Sequence, residues 1–142
     1  MNPLPTLDEI RKFFANDRFA ASAGIVIDDV TEEHVTCSLP LTAEHSNAAG
    51  GVQGGAIFTL ADLAFAVHCN FGLLRGEDVG VTVGQSCSIS FLKAPKGKTL
   101  TARSTQLSRG RNMSVFRIEI SDELGNAVAE MHGNAFTTAK KL

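Results

Sequence analysis

The chain has 142 residues and a mass of 15.1 kDa, the size of one domain around one hydrophobic core. Hydrophobic residues make up 44% and charged residues 20%, which excludes a disordered tail or a solvated linker. Net charge is -2, which argues against a dedicated nucleic-acid binder, and with Trp and Tyr absent aromatic packing rests on nine Phe, so base-stacking platforms would be few.

In chain order, Met1–Ile10 shows no basic stretch leading into an apolar run, so no secretion signal is expected. Thr6 and Glu9 have capping-box spacing and predict a helix to about Asn16, with Leu7, Ile10, Phe13 and Phe14 on one face. Residues 24–41 read as a hairpin: Ile25 and Ile27 alternate before a turn over 28–33, and Val35, Cys37, Leu39 and Leu41 alternate after it. Residues 42–53 form a polar loop. From Gly54 to Leu74 a long apolar helix is expected, with Asp62 its single formal charge. A membrane span tolerates that length, but Asp62, His68 and Asn70 would be costly in lipid. An all-round apolar helix also suits the buried centre of a soluble domain, and the strands that follow can surround it.

After a turn at Arg75–Asp78, three strands complete the chain. The first puts Val81, Val83, Gln85, Cys87, Ile89 and Phe91 on one face and turns at residues 94–97. The second runs from Thr99 to about Ser108 and turns at Arg109-Gly110-Arg111. The segment from Met113 to Ser121 and a last strand from Ala127 to Thr138 follow, joined by a turn at residues 123–126. The order predicts an α+β domain spanning 1–142, with an antiparallel sheet wrapped on a central helix. Cys37, Cys69 and Cys87 are an odd set without paired spacing. They form neither a disulfide framework nor a zinc site, which points to a reducing compartment, the cytoplasm.

Chemistry is concentrated between His45 and Asp62. Gly54 and Gly55 open the apolar helix, where free N–H groups and the positive dipole end suit an oxygen that becomes negative during reaction. The same glycines also serve tight packing of the helix start. Asp62 lies eight residues into the helix, where neither propensity nor packing asks for a carboxylate. It either pairs with a base or backbone group or takes part in catalysis. Eight helical residues separate Gly54 and Asp62 by about 12 Å, so one carbonyl cannot touch both in the same chain. If they cooperate, a two-fold dimer has to bring the helix start of one subunit to Asp62 of the other.

The pattern Asn47-x-x-Gly50-x-x-Gln53-Gly54-Gly55, with Asp62 fifteen residues after Asn47, resembles the signature of hotdog-fold thioesterases of the phenylacetate-degradation (PaaI-like) type. The segment Cys87–Lys93 resembles the same family. The resemblance implies a hotdog fold, a long helix wrapped by a curved antiparallel sheet, in a homodimer or homotetramer. It implies cleavage of acyl-CoA to free acid and CoA without metal or organic cofactor. Asp62 would be the catalytic base or nucleophile, the Gly54 N–H would polarise the carbonyl, and Asn47 would position water or substrate. Gln53 stands where the family usually has His; it can orient by hydrogen bonds but cannot titrate near neutrality. His45 lies just upstream as a loop residue, and His34, His68 and His132 read as structural or surface groups.

Between Asp78 and Glu119 every charged residue is basic: Lys93, Lys96, Lys98, Arg103, Arg109, Arg111 and Arg117. Lys93 and the Arg109-Gly110-Arg111 turn are candidates for the phosphates of CoA, with Gly55 lining the substrate at the helix start. Guarding of strand edges explains such lysines equally well. A non-catalytic acyl-CoA-binding module and a dehydratase on the same fold are the competing functions. The dehydratase needs a His at the helix start, which this sequence lacks.

Overall fold

A computed structural model of the chain describes residues 3, 5–74 and 81–138. The chain order is α1 (Leu7–Phe14), α2 (Arg18–Ala23), β1 (Val26–Val30), β2 (His34–Pro40), α3 (Gly54–Cys69), α4 (Phe71–Leu74), β3 (Thr82–Phe91), β4 (Thr99–Arg109), β5 (Met113–Asp122) and β6 (Ala127–Thr137). All six strands join one antiparallel sheet in the order β1-β2-β4-β5-β6-β3. The helix α3 packs on one face of this sheet, which is the α+β hotdog arrangement expected from the sequence.

Alternation builds the core. Val35, Cys37 and Leu39 of β2 are fully buried, as are Leu100 and Ala102 of β4, and Phe116, Ile118 and Ile120 of β5 are buried beside them. From α3, Leu60, Ala61, Ala64, Phe65 and Val67 close this surface from above. At the far side the Thr6–Glu9 capping box forms as the sequence indicates, and Ile10 anchors α1. Phe13, expected on the same face, is exposed instead and stacks edge-on against Phe14.

Three elements differ from the sequence reading. The long helix ends at Cys69 rather than Leu74: Asn70 leaves helical geometry, and both its N–H and its side-chain Nδ2 donate to the Ala66 carbonyl. Among the described residues no helix is long and apolar enough to cross a membrane. The turn expected at Arg75–Asp78 lies outside the described residues.

Second, α2 was not anticipated. It is six residues long, capped by Asp17 at its start and stopped by Gly24 in the left-handed conformation. Third, β3 does not present one face from Val81 to Phe91. A bulge between Gly84 and Ser86 flips the alternation. Cys87, Ile89 and Phe91 pair with Gly133, Met131 and Ala129 and face α3, whereas Val81 and Val83 turn outward and are exposed.

The bulge has a packing counterpart in Phe65. Gly84 on β3 and Gly133 on β6 both lie under its ring, and a Cβ on Gly133 would sit 2.9 Å from the ring edge. The ring is itself pinned edge-to-face on Phe116, with centroids 5.6 Å apart. Gly133→Ala is therefore expected to destabilise the fold by about 1–3 kcal/mol, the usual scale of overpacking. Urea unfolding of the two proteins measures this, and an unchanged midpoint would show that the Phe65 ring can move aside.

The connections are fixed by carboxylates. Asp122 accepts hydrogen bonds from the Lys96 and Gly97 N–H groups at 2.9 and 3.0 Å and from Leu124 and Asn126 within its own turn. Glu123 accepts from the Lys98 and Thr99 N–H groups. These contacts hold the β3–β4 and β5–β6 turns together at the end of the sheet where α3 begins.

Candidate active site

The loop before α3 is organised by Asn47. Its Oδ1 accepts from the Ala49 N–H at 3.0 Å and the Gly51 N–H at 2.9 Å, while its backbone N–H donates to the Gly51 carbonyl. Gly50 completes the turn with φ +85°, a conformation that favours glycine. The side-chain oxygen of Asn47 is thus engaged in shaping the loop, a structural use that the sequence reading did not foresee.

Gln53 caps the helix. Its side-chain oxygen accepts from the Gly55 N–H, and from the Ala56 N–H at 3.3 Å; the Ala56 and Ile57 N–H groups also reach its backbone carbonyl. In the first turn of α3 the Gly54 N–H alone has no acceptor among the described residues. It sits at the positive end of a 16-residue helix, with the Phe91 ring beside it. Of the two glycines, Gly54 offers a free donor and Gly55 does not.

Asp62 is not enclosed by the apolar helix as its sequence context suggested. It lies on the stripe of α3 that the sheet leaves uncovered, and its side chain reaches solvent. Among the described residues it has neither a hydrogen bond nor an ion pair, so a basic or backbone partner does not account for it. Partial burial raises its carboxyl above the ordinary carboxylate range, and the Asp17 carboxylate at the start of α2 adds to the rise. The neighbouring thiols stay protonated. Burial, reinforced by Asp62, pushes Cys69 up to about 12 and raises Cys87. Neither is a nucleophile at neutral pH.

His45 and His68 are structural. His45 is buried, with Nε2 2.7 Å from the Ala23 carbonyl and Nδ1 accepting from the Thr42 N–H at 3.0 Å. His68 is 2% exposed; its Nε2 lies 2.8 Å from the Glu32 carbonyl and its Nδ1 2.9 Å from the Ser104 hydroxyl. Burial, with the nearby His34 adding, lowers His68 to about 4. The folded value lies below the ordinary 6.5, so the neutral ring stabilises the fold above pH 6.5. That contribution is lost as pH falls from 6.5 towards 4. The loss is expected to approach about 3 kcal/mol when complete. Urea midpoints between pH 7 and 4 measure it, and a His68→Asn protein should lack this part of the slope. An identical slope in that variant would remove His68 as the source.

The basic candidates separate. Lys93 follows Phe91, at the end of the sheet where α3 starts. Arg109, Gly110 and Arg111 line a small cleft with Cys69 and Thr137 at the other end of the same helix. Arg109 is the last residue of β4 rather than part of the turn, and the Gly110 N–H closes the turn onto the Met113 carbonyl at 2.7 Å. Among the described residues no group of three or more His, Cys, Asp and Glu is placed to hold a metal ion.

Known proteins share this fold. The thioesterase superfamily matches residues 49–129, which include the helix start, Asp62 and β3. Acyl-coenzyme A thioesterase PaaI of Escherichia coli (strain K12) is 32% identical over 123 residues, covering 86% of this chain and 84% of that protein. The solved structure of the PaaI protein from the phenylacetic acid degradation operon of Escherichia coli superposes with a TM-score of 0.82. It is 28% identical, with 94% of each chain covered. A thioesterase of Haemophilus influenzae shares the fold, with a TM-score of 0.86 at 21% identity over 97% of this chain and 94% of that one. The chain belongs to the thioesterase superfamily and is a PaaI-like hotdog thioesterase.

Proposed function

We propose that this thioesterase hydrolyses acyl-CoA at a site shared by two protomers, with the helix start of one facing Asp62 of the other. The observation that carries the reading is a pair of groups on α3 unused among the described residues: the acceptorless Gly54 N–H and the unpartnered Asp62, eight residues on. Along the axis they stand about 12 Å apart, too far to act on one carbonyl within a single chain. β3 supplies the means of pairing. It is ten residues long, ends the sheet and is exposed over most of its length, a strand edge open to a second copy. Two-fold pairing through β3 would run the two α3 helices antiparallel, bringing each helix start towards the partner's Asp62.

In the reaction, Asp62 as general base takes a proton from water, and the resulting hydroxide adds to the thioester carbonyl carbon. The carbonyl oxygen becomes an oxyanion, which the Gly54 N–H and the dipole of α3 stabilise. Collapse of the adduct breaks the C–S bond, and the leaving thiolate takes up a proton to give CoA and the free acid. Attack by Asp62 itself on the carbonyl, followed by hydrolysis of the anhydride, uses the same two groups. The raised pKa of Asp62 makes it a better base than an ordinary carboxylate. Gln53 contributes by fixing the helix start, and Asn47 by holding the loop that precedes it.

Antiparallel α3 helices would also reunite the separated cations. Arg109 and Arg111 of one protomer would then stand at the same end of the dimer as Lys93 of the other, where CoA phosphates could meet both. The experiment is a steady-state assay of thiol release over a panel of acyl-CoAs, together with the mass of the assembly in solution. Turnover by a dimer or tetramer is expected. Tight acyl-CoA binding with no thiol release would favour a binding module, and a fully active monomer would overturn the shared site.

A further inference from the structure

A groove lies between α2 and the first turns of α3. It encloses about 700 Å³, within the range of small-molecule sites. Its walls include Phe19 and Ala23 of α2, Phe58 and Ala56 of α3, and Glu44 from the loop between β2 and α3. Phe19 is 75% exposed, an apolar ring held in water at the edge of a cavity.

The wall carrying that ring is fixed in place. Asp17 caps α2 by accepting from the Ala20 N–H at 3.1 Å, and His45 binds the Ala23 carbonyl at the other end. The His45 carbonyl in turn accepts from the Gln53 N–H at 2.8 Å, which ties α2 to the start of α3. Gln53 and Gly55 both line the groove, and they are the chain neighbours of Gly54, whose N–H is free among the described residues. A carbonyl held at that N–H would have the groove opening beside it.

We propose that this groove receives the acyl group and selects uncharged, apolar acyl chains over chains ending in a carboxylate. The inference rests on the thioesterase reading of Gly54 and Asp62. Phe19 and Phe58 offer apolar contact along the chain. Among the described residues, Glu44 is the one formally charged residue lining the groove, and no Lys or Arg lines it. His45 has both ring nitrogens engaged. Within the described lining of one protomer, a terminal carboxylate would therefore meet Glu44 with no cation to offset the repulsion.

The test compares octanoyl-CoA with acetyl-CoA, and suberyl-CoA, of equal length but with a terminal carboxylate, with octanoyl-CoA. Phe19→Ala is expected to lower the octanoyl-to-acetyl ratio of kcat/KM about tenfold, mainly through KM. Glu44→Lys is expected to raise the suberyl-to-octanoyl ratio by a similar factor. Both residues are exposed, and thermal unfolding confirms that the variants are folded. Unmoved ratios in both variants, with turnover retained, would overturn the groove assignment and leave the catalytic reading standing. Binding of the S-octyl and S-methyl thioethers of CoA by calorimetry separates the opposite failure. If no acyl-CoA is hydrolysed but Phe19→Ala still weakens the octyl thioether selectively, the catalytic reading falls and the groove stands.

Discussion

Asp62→Asn is expected to lower kcat by at least about 10²-fold, the scale of losing a general base. The substitution is nearly isosteric and breaks no hydrogen bond or ion pair among the described residues, so the fold should be untouched. Stability should hold level or rise. A carboxyl whose folded pKa is raised is favoured in its protonated form, so its ionised form costs stability at neutral pH, and the neutral amide removes that cost. The same shift predicts the shape of the pH profile. In the wild type, kcat/KM should rise with pH through an acid limb lying above the ordinary carboxylate value of 3.8. The residual activity of Asp62→Asn should lack that limb. An unchanged kcat would remove Asp62 from the mechanism.

Alternation and capping were legible in the sequence because each is a local rule. Val35, Cys37 and Leu39 point inward as their period of two requires, and the Thr6–Glu9 box opens α1. The features that were not legible depend on contacts across the fold. Nothing within Val81–Phe91 announces the bulge; it answers to the Phe65 ring, which needs Gly84 and Gly133 beneath it. The helix α2 carried a readable signal, Asp17 before an alanine-rich turn and Gly24 after it, but its length of six residues falls below what periodicity detects.

At the site, residue types were legible and their duties less so. Gly54 and Gly55 look alike in sequence, and only the fold of the Gln53 side chain onto Gly55 separates the free donor from the engaged one. Asp62 looks enclosed because its sequence neighbours are apolar, yet the sheet covers just one side of α3. The basic residues form one block in the chain, but the antiparallel course of β3 and β4 sends Lys93 and Arg109 to opposite ends of the helix.

Mixing two inactive proteins, Gly54→Pro and Asp62→Asn, is expected to restore about a quarter of wild-type activity if the site is shared. Proline suits this purpose because it deletes the N–H and little else. Gln53 has φ -66° and ψ 129°, the extended backbone preferred before proline, and the first helical position accepts proline readily. No hydrogen bond from the Gly54 N–H is lost. A Cβ at this position lies 3.2 Å from the tip of the Phe91 ring, which has to yield by a few tenths of an ångström. Each variant alone should be nearly inactive, because every one of its sites lacks one of the two groups. In a mixed dimer the two-fold axis places both lesions in one site and leaves the other intact. Random exchange of equal amounts makes about half of the dimers mixed, each with one working site of two. The proteins are unfolded and refolded together, exchange is confirmed by mass spectrometry, and thiol release is assayed. Recovery that rises and falls with the fraction of mixed dimers would require Gly54 and Asp62 to act from different chains. Confirmed exchange without recovery would sink the shared site, because a site built within one chain gains nothing from a partner carrying the other lesion.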